Sequence, residues 1–157
     1  MAIIPAALDV LPLETFEAGE VLIHENSEMG ALLFLVHGTV EVSKQGQLIT
    51  RVHERGAMFG EMSVLLKCRH TATVTAIDRV DCRVVQEPDE YLAEHPEVTL
   101  YICRILARRL DSLNRYLVDI KTQFADRADH LGMVDEVLGA IMNRQPKDAP
   151  SHPDPGH

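Results

Sequence analysis

The chain has 157 residues, 46% of them apolar, with 24 acidic against 15 basic side chains and a formal net charge of −9. That suffices for one domain with a substantial core and is too apolar for a disordered chain. The acidic balance excludes a broadly basic nucleic-acid-binding surface, so an anionic ligand must be met by local positive charge.

In chain order, residues 1–14 mix small apolar residues with Pro5 and Pro12 and predict a short helical lead-in. Met1 to Val10 lacks the charged start of a signal peptide, and no apolar run reaches membrane-spanning length. Short β-like runs then alternate with turn residues: Leu13 to Phe16, Val21 to His24, and the dense apolar Leu32 to His37, stopped by Gly38. Thr39 to Ser43 alternates apolar and polar, and Gln45-Gly46 turns a hairpin into Leu48 to Val52. Thr71 to Ile77 and Val80 to Val85 are two more strands, joined at Asp78-Arg79. Strands so short and regular predict a sandwich or barrel. After Pro88 the pattern turns helical. Pro88 opens a short helix to Glu94 and Pro96 a longer one, both at positions that suit proline. In the long helix Ile102, Leu106, Leu110, Leu113, Leu117, Ile120 and Phe124 recur every three or four residues, close to a coiled-coil seam. This stripe packs either on the chain's own strands or, as its length favours, on a second copy. Leu131 to Ile141 predicts one more amphipathic helix, and the proline-rich residues 144–157 a disordered tail. Cys68, Cys82 and Cys103, an odd number without paired spacing, read as reduced thiols in a cytoplasmic protein.

The chemistry concentrates between Phe59 and Val74. Gly60 allows close backbone approach, and Glu61 is an acceptor for sugar hydroxyls. Met62 to Leu66 makes one helical turn whose N–H groups suit an anion. Lys67, Arg69 and His70 add positive charge, and the N–H groups of Thr71 and Ala72 add donors. Such a segment suits a phosphorylated ribose.

Phe59-Gly60-Glu61-Met62-Ser63 and Thr71-Ala72-Thr73-Val74, with the spacing between them, resemble the phosphate-binding cassette of the cyclic nucleotide-binding domain family. Gly19-Glu20-Val21-Leu22, Leu32 to Val40 and Gly56 to Glu61 resemble further signals of that family, so the likeness covers roughly residues 13 to 120. The resemblance implies a mainly β fold, an eight-stranded jelly-roll-like β-roll followed by C-terminal helices. It spans residues 1–125, with an extra helix at 126–143. It also implies a regulatory module without enzymatic activity that binds cyclic AMP or cyclic GMP, without metal. In the family the glutamate takes the ribose 2′-hydroxyl and an arginine the cyclic phosphate. Here Glu61 keeps the first role, while His70 stands at the arginine position with Arg69 one residue early. Ser63, Thr71 and Ala72 are then phosphate donors, with Thr71 also able to meet a guanine amino group. Phe59, Gly60 and Met62 shape the turn, Asn114 caps the base, and His53 faces the pocket. A homodimer through the long helix is implied, as is a mobile unit from Pro88 to Phe124 in which Tyr91 and Leu92 pack on Met62 and Leu65. The residues after Ile120 are neither basic nor strand-like, so the family's winged DNA-binding domain is not expected.

Two other readings stay open. The histidine substitution leaves a module that binds a different ligand or none, acting by protein contacts. Alternatively His24, His37, His53 and His70 belong to a metal-binding barrel of the cupin kind, although the usual H-x-H with a following glutamate is absent.

Overall fold

The computed structural model describes residues 3–124 and 128–143. The lead-in is one 3-10 turn, Ala6–Val10, with Leu8 buried. Eight strands follow: β1 Leu13–Phe16, β2 Val21–Ile23, β3 Leu32–His37, β4 Val40–Lys44, β5 Gln47–Val52, β6 Met58–Phe59, β7 Thr73–Ala76 and β8 Val80–Val85. They form two four-stranded antiparallel sheets, ordered β1-β8-β3-β6 and β2-β7-β4-β5. With the helices that follow, this is the β-roll expected from the sequence.

Side-chain alternation explains the layers. Leu33, Leu35, Val40, Phe59, Val74, Val80, Cys82 and Val84 meet in a core contributed by both sheets. Each such burial contributes about 1.5–3 kcal/mol. β3 reads as an unbroken apolar run because both of its faces are covered. Leu32 and Phe34 are as buried as Leu33 and Leu35, and the Phe34 ring lies 6.4 Å from that of Tyr101. Tyr101 also donates its hydroxyl to the Gly56 carbonyl at 2.8 Å. At Gly56, with φ +90°, a Cβ would come within 2.4 Å of that hydroxyl. The β4–β5 hairpin turns at Gln45 and Gly46, both with positive φ, as two-residue hairpins favour. Burial pushes the Cys82 thiol up to about 12, helped by Asp81 and Glu14, which suits an inert core residue.

Between β6 and β7 lies α1, Glu61–Leu66, and after β8 come α2, Pro88–Glu94, α3, Pro96–Gln123, and α4, Ala128–Asn143. The chain divides into two compact units, Met1–Cys103 and Arg104–His157, the boundary falling inside α3. In the second unit Lys121 pairs with Asp135 and Asn114 with Met142. These two pairings run in opposite directions along the chain, so α3 and α4 form an antiparallel hairpin. The disordered tail expected at residues 144–157 lies outside the described residues. Among the described residues no helix is long and apolar enough to cross a membrane.

One expected element is shorter than predicted. The strand over Thr71 to Ile77 begins only at Thr73. The backbone before it is drawn elsewhere: His70 N–H donates to the Ser27 carbonyl at 3.1 Å, and Asn26 N–H donates to the His70 carbonyl at 2.8 Å. That pairing holds the preceding residues off the ladder with β2 and β4.

Candidate ligand-binding cassette

Phe59 ends β6 with its ring in the core, which fixes where the next residue begins. Gly60 then turns the chain with φ +89° into α1. A Cβ there would stand 2.8 Å from the Ala31 carbonyl and 3.4 Å from His70 Cε1, so both conformation and space require glycine. Glu61 opens α1 and is buried, at 8% exposure. Ser63 is buried and donates its hydroxyl to the Cys68 carbonyl at 2.6 Å, while Cys68 N–H donates to the Ser63 carbonyl at 3.2 Å. Its hydroxyl therefore closes α1 behind Lys67, which takes a left-handed conformation with φ +54°. Met62, expected to help shape the turn, is exposed on the outer side of α1 with Leu65 and Leu66.

The three basic residues separate. Lys67 is ion-paired with Asp89 at the start of α2. Arg69 donates from Nη1 to the Asn26 carbonyl at 2.9 Å and is on the surface. His70 is buried, its Nε2 within 3.8 Å of where a Gly30 Cβ would lie. Burial lowers the His70 pKa below its ordinary value of 6.5, opposed by the nearby Glu61 carboxylate, which raises it. Thr71 is exposed and Ala72 half-buried, and both precede β7, so their amides lie outside the strand ladder. His53 is exposed beyond the end of β5. Asn114 belongs to the second unit, where its Nδ2 faces Met142 Sδ at 3.2 Å. A cleft of about 500 Å³ separates the loop before β3 from α1 and α2, lined by Met29, Gly30, Ala31, Val64, Lys67 and Asp89 among others.

The sequence marks Asn26 to Gly30 as a loop but not its part in holding this arrangement. Asn26 and Ser27 anchor the backbone at His70, and Gly30 and Ala31 pack against the imidazole and Gly60. Asn26 carries a weak signal, since asparagine is enriched at positive φ and here has φ +64°. The packing of Tyr91 and Leu92 on Met62 and Leu65 is expected when ligand draws the helices onto the cassette, and here Tyr91 has other partners. Tyr91 stacks on His95 at 4.0 Å between ring centroids, and its hydroxyl donates to the Ala7 carbonyl at 3.5 Å. Met62 and Leu65 stay 43% and 46% exposed. Leu92 is half-buried, and its carbonyl accepts from Thr99 Oγ1 at 2.7 Å. Among the described residues no three His, Cys, Asp or Glu gather as metal ligands would.

The family model of the cyclic nucleotide-binding domain matches residues 13–94. The chain belongs to this family. The domain is 29% identical over 116 residues to the potassium/sodium hyperpolarization-activated cyclic nucleotide-gated channel 4 of Oryctolagus cuniculus, covering 71% of this chain and 10% of the channel. The chain thus spans about a tenth of the length of the curated channel relatives it matches first. Among solved structures, the Thermus thermophilus catabolite activator protein aligns with TM-score 0.61 at 21% identity, covering 73% of this chain and 57% of that one. The N-terminal domain of a transcriptional regulator from Streptomyces coelicolor aligns with TM-score 0.53 at 25% identity, covering 69% and 82%.

The His70 environment makes stability depend on pH. A lowered folded-state pKa means the unfolded chain binds more protons in the window just below 6.5, so stability rises with pH through that window. Urea unfolding should show stability lost as pH falls below 6.5, and His70→Gln should remove that part of the loss. An identical pH profile for the two proteins would contradict the buried neutral imidazole.

Proposed function

We propose that this domain is a regulatory module, without catalysis of its own, whose cassette takes a cyclic nucleotide and passes its occupancy to the helices that follow. The observation that carries the reading is Glu61, a carboxylate buried at the head of α1 directly after a glycine that nothing larger can replace. Ribose hydroxyls are donors of the right kind. Family membership and the nucleotide-gated channel relative support a cyclic nucleotide, cyclic AMP or cyclic GMP, as the ligand class. In this reading Phe59, Gly60 and Met62 set the turn, and the Thr71 and Ala72 amides meet the phosphate, with Arg69 and His70 as the nearest basic side chains. Ser63 contributes by holding the shape of α1. The free thiols fit a cytoplasmic setting.

The route outward runs through the Lys67–Asp89 pair, which joins the end of α1 to the start of α2. Calorimetric titration with cyclic AMP and cyclic GMP tests the proposal. Glu61→Ala should weaken binding about 10–100-fold while leaving the fold intact, the loss of one charge-assisted hydrogen bond. The same ligand should slow hydrogen exchange across residues 88–124 in the wild type. Equal affinity for wild type and Glu61→Ala would remove Glu61 from the site.

The long helix supplies a surface for a second copy. Leu110, Leu113 and Phe124 of the apolar stripe remain 40–45% exposed although α4 already lies on the same helix. A homodimer through this stripe follows. Sedimentation should show a dimer at micromolar concentration, and Leu113→Asp with Leu117→Asp should give a monomer. A monomeric wild type at high micromolar concentration would refute the seam.

A further inference from the structure

Arg83 stands on the outer face of the β1-β8-β3-β6 sheet without an ion pair. It lies opposite Phe34 of β3 and Leu13 of β1, on the face turned away from Val80, Cys82 and Val84. Its Nη1 donates to the Leu11 carbonyl at 2.8 Å, which fixes the guanidinium. Its Nε is buried and has no hydrogen-bond partner. Among the described residues no carboxylate pairs with it, and Asp81, two residues earlier on the same face, accepts from Thr15 at 2.7 Å instead. A charged donor buried without a partner is more costly than a neutral one. Arg83 also lines a small cavity bordered by Leu8, Asp9, Phe34, Arg55 and Gly56. Leu8 and Phe34 are 2% and 1% exposed, so much of the wall is apolar. The space is about 10 Å³, room for a single occupant of water size. Two guanidiniums border it against one carboxylate, since Asp9 meets Arg55 at 3.5 Å in a pair whose side chains are both more than half exposed.

We propose that this cavity is a halide site that holds one chloride ion against Arg83 Nε. A halide only accepts, and it brings the one negative charge that two guanidiniums and a single carboxylate leave unmet. A water molecule would bring no charge and would also have to place its own hydrogens. Sulfate and phosphate are too large for a space of this size. The ion fastens the lead-in turn to the roll, because Leu8 and Asp9 of that turn border it together with Phe34 of β3 and Gly56. The Gly56 carbonyl also accepts from Tyr101, so the ion lies beside the corner that holds the first turns of α3. The site is separate from the cassette and acts whatever the cassette binds.

Thermal unfolding of the full chain at constant ionic strength, with gluconate replaced stepwise by chloride, tests this. Gluconate is too large for the cavity. Tm should rise with chloride and saturate, by about 2–4 °C once chloride stands at a few times its Kd. Bromide should act in the same way, and Arg83→Met should lose the response. An equal Tm in chloride and gluconate overturns the site. An equal, unsaturated rise in wild type and Arg83→Met overturns it too, since that is a general salt effect. Should Arg83→Met not fold, wild-type crystals grown in bromide decide the matter. An anomalous peak beside Arg83 Nε is expected there, and a water without anomalous signal overturns the site.

Discussion

A carboxylate and an imidazole lie buried side by side in the cassette, and the surrounding backbone is arranged about that pair. Glu61 and His70 are both less than a tenth exposed: the carboxylate favours a protonated imidazole, burial disfavours it, and burial prevails at His70. Their meeting depends on Gly60. Its left-handed backbone lets β6 turn into α1 against the Ala31 carbonyl, which sets Glu61 at the head of the helix and leaves room for the imidazole. The loop at Asn26 and Ser27 completes the arrangement by tying the backbone of His70 in place.

Much of the roll was legible because its signals are local. Val80, Cys82 and Val84 alternate with polar residues and point into the core, and Gln45-Gly46 has the conformational freedom a two-residue hairpin requires. Pro88 and Pro96 both open helices. The cassette's existence was legible too, since Phe59-Gly60-Glu61 and Thr71 to Val74 carry a pattern. The commitments of its side chains were not. That Ser63 turns to the Cys68 carbonyl, that Arg69 reaches Asn26 and that Lys67 reaches Asp89 are contacts across intervals of 5, 43 and 22 residues. Periodicity carries no information about such contacts. Tyr91 illustrates the same limit: its hydroxyl reaches the Ala7 carbonyl, 84 residues away along the chain.

The two units place different demands on the sequence. The first buries a core between sheets and keeps its chemistry at one turn. The second is a hairpin of two helices, too thin to bury apolar residues on more than one face, which is why α3 and α4 leave Leu110, Leu113, Val118, Met133 and Met142 largely in contact with solvent. α3 belongs to both units, beginning under Phe34 and Gly56 through Tyr101 and continuing into the hairpin.

His70 lies buried beside Glu61, and its titration reports whether burial or the carboxylate prevails there. NMR titration of the histidine side-chain resonances, with His70 assigned by its loss in His70→Gln, measures it directly. The account predicts a midpoint below 6.5 in the ligand-free protein. A midpoint at or above 6.5 would mean that the Glu61 carboxylate offsets or outweighs burial and would contradict it.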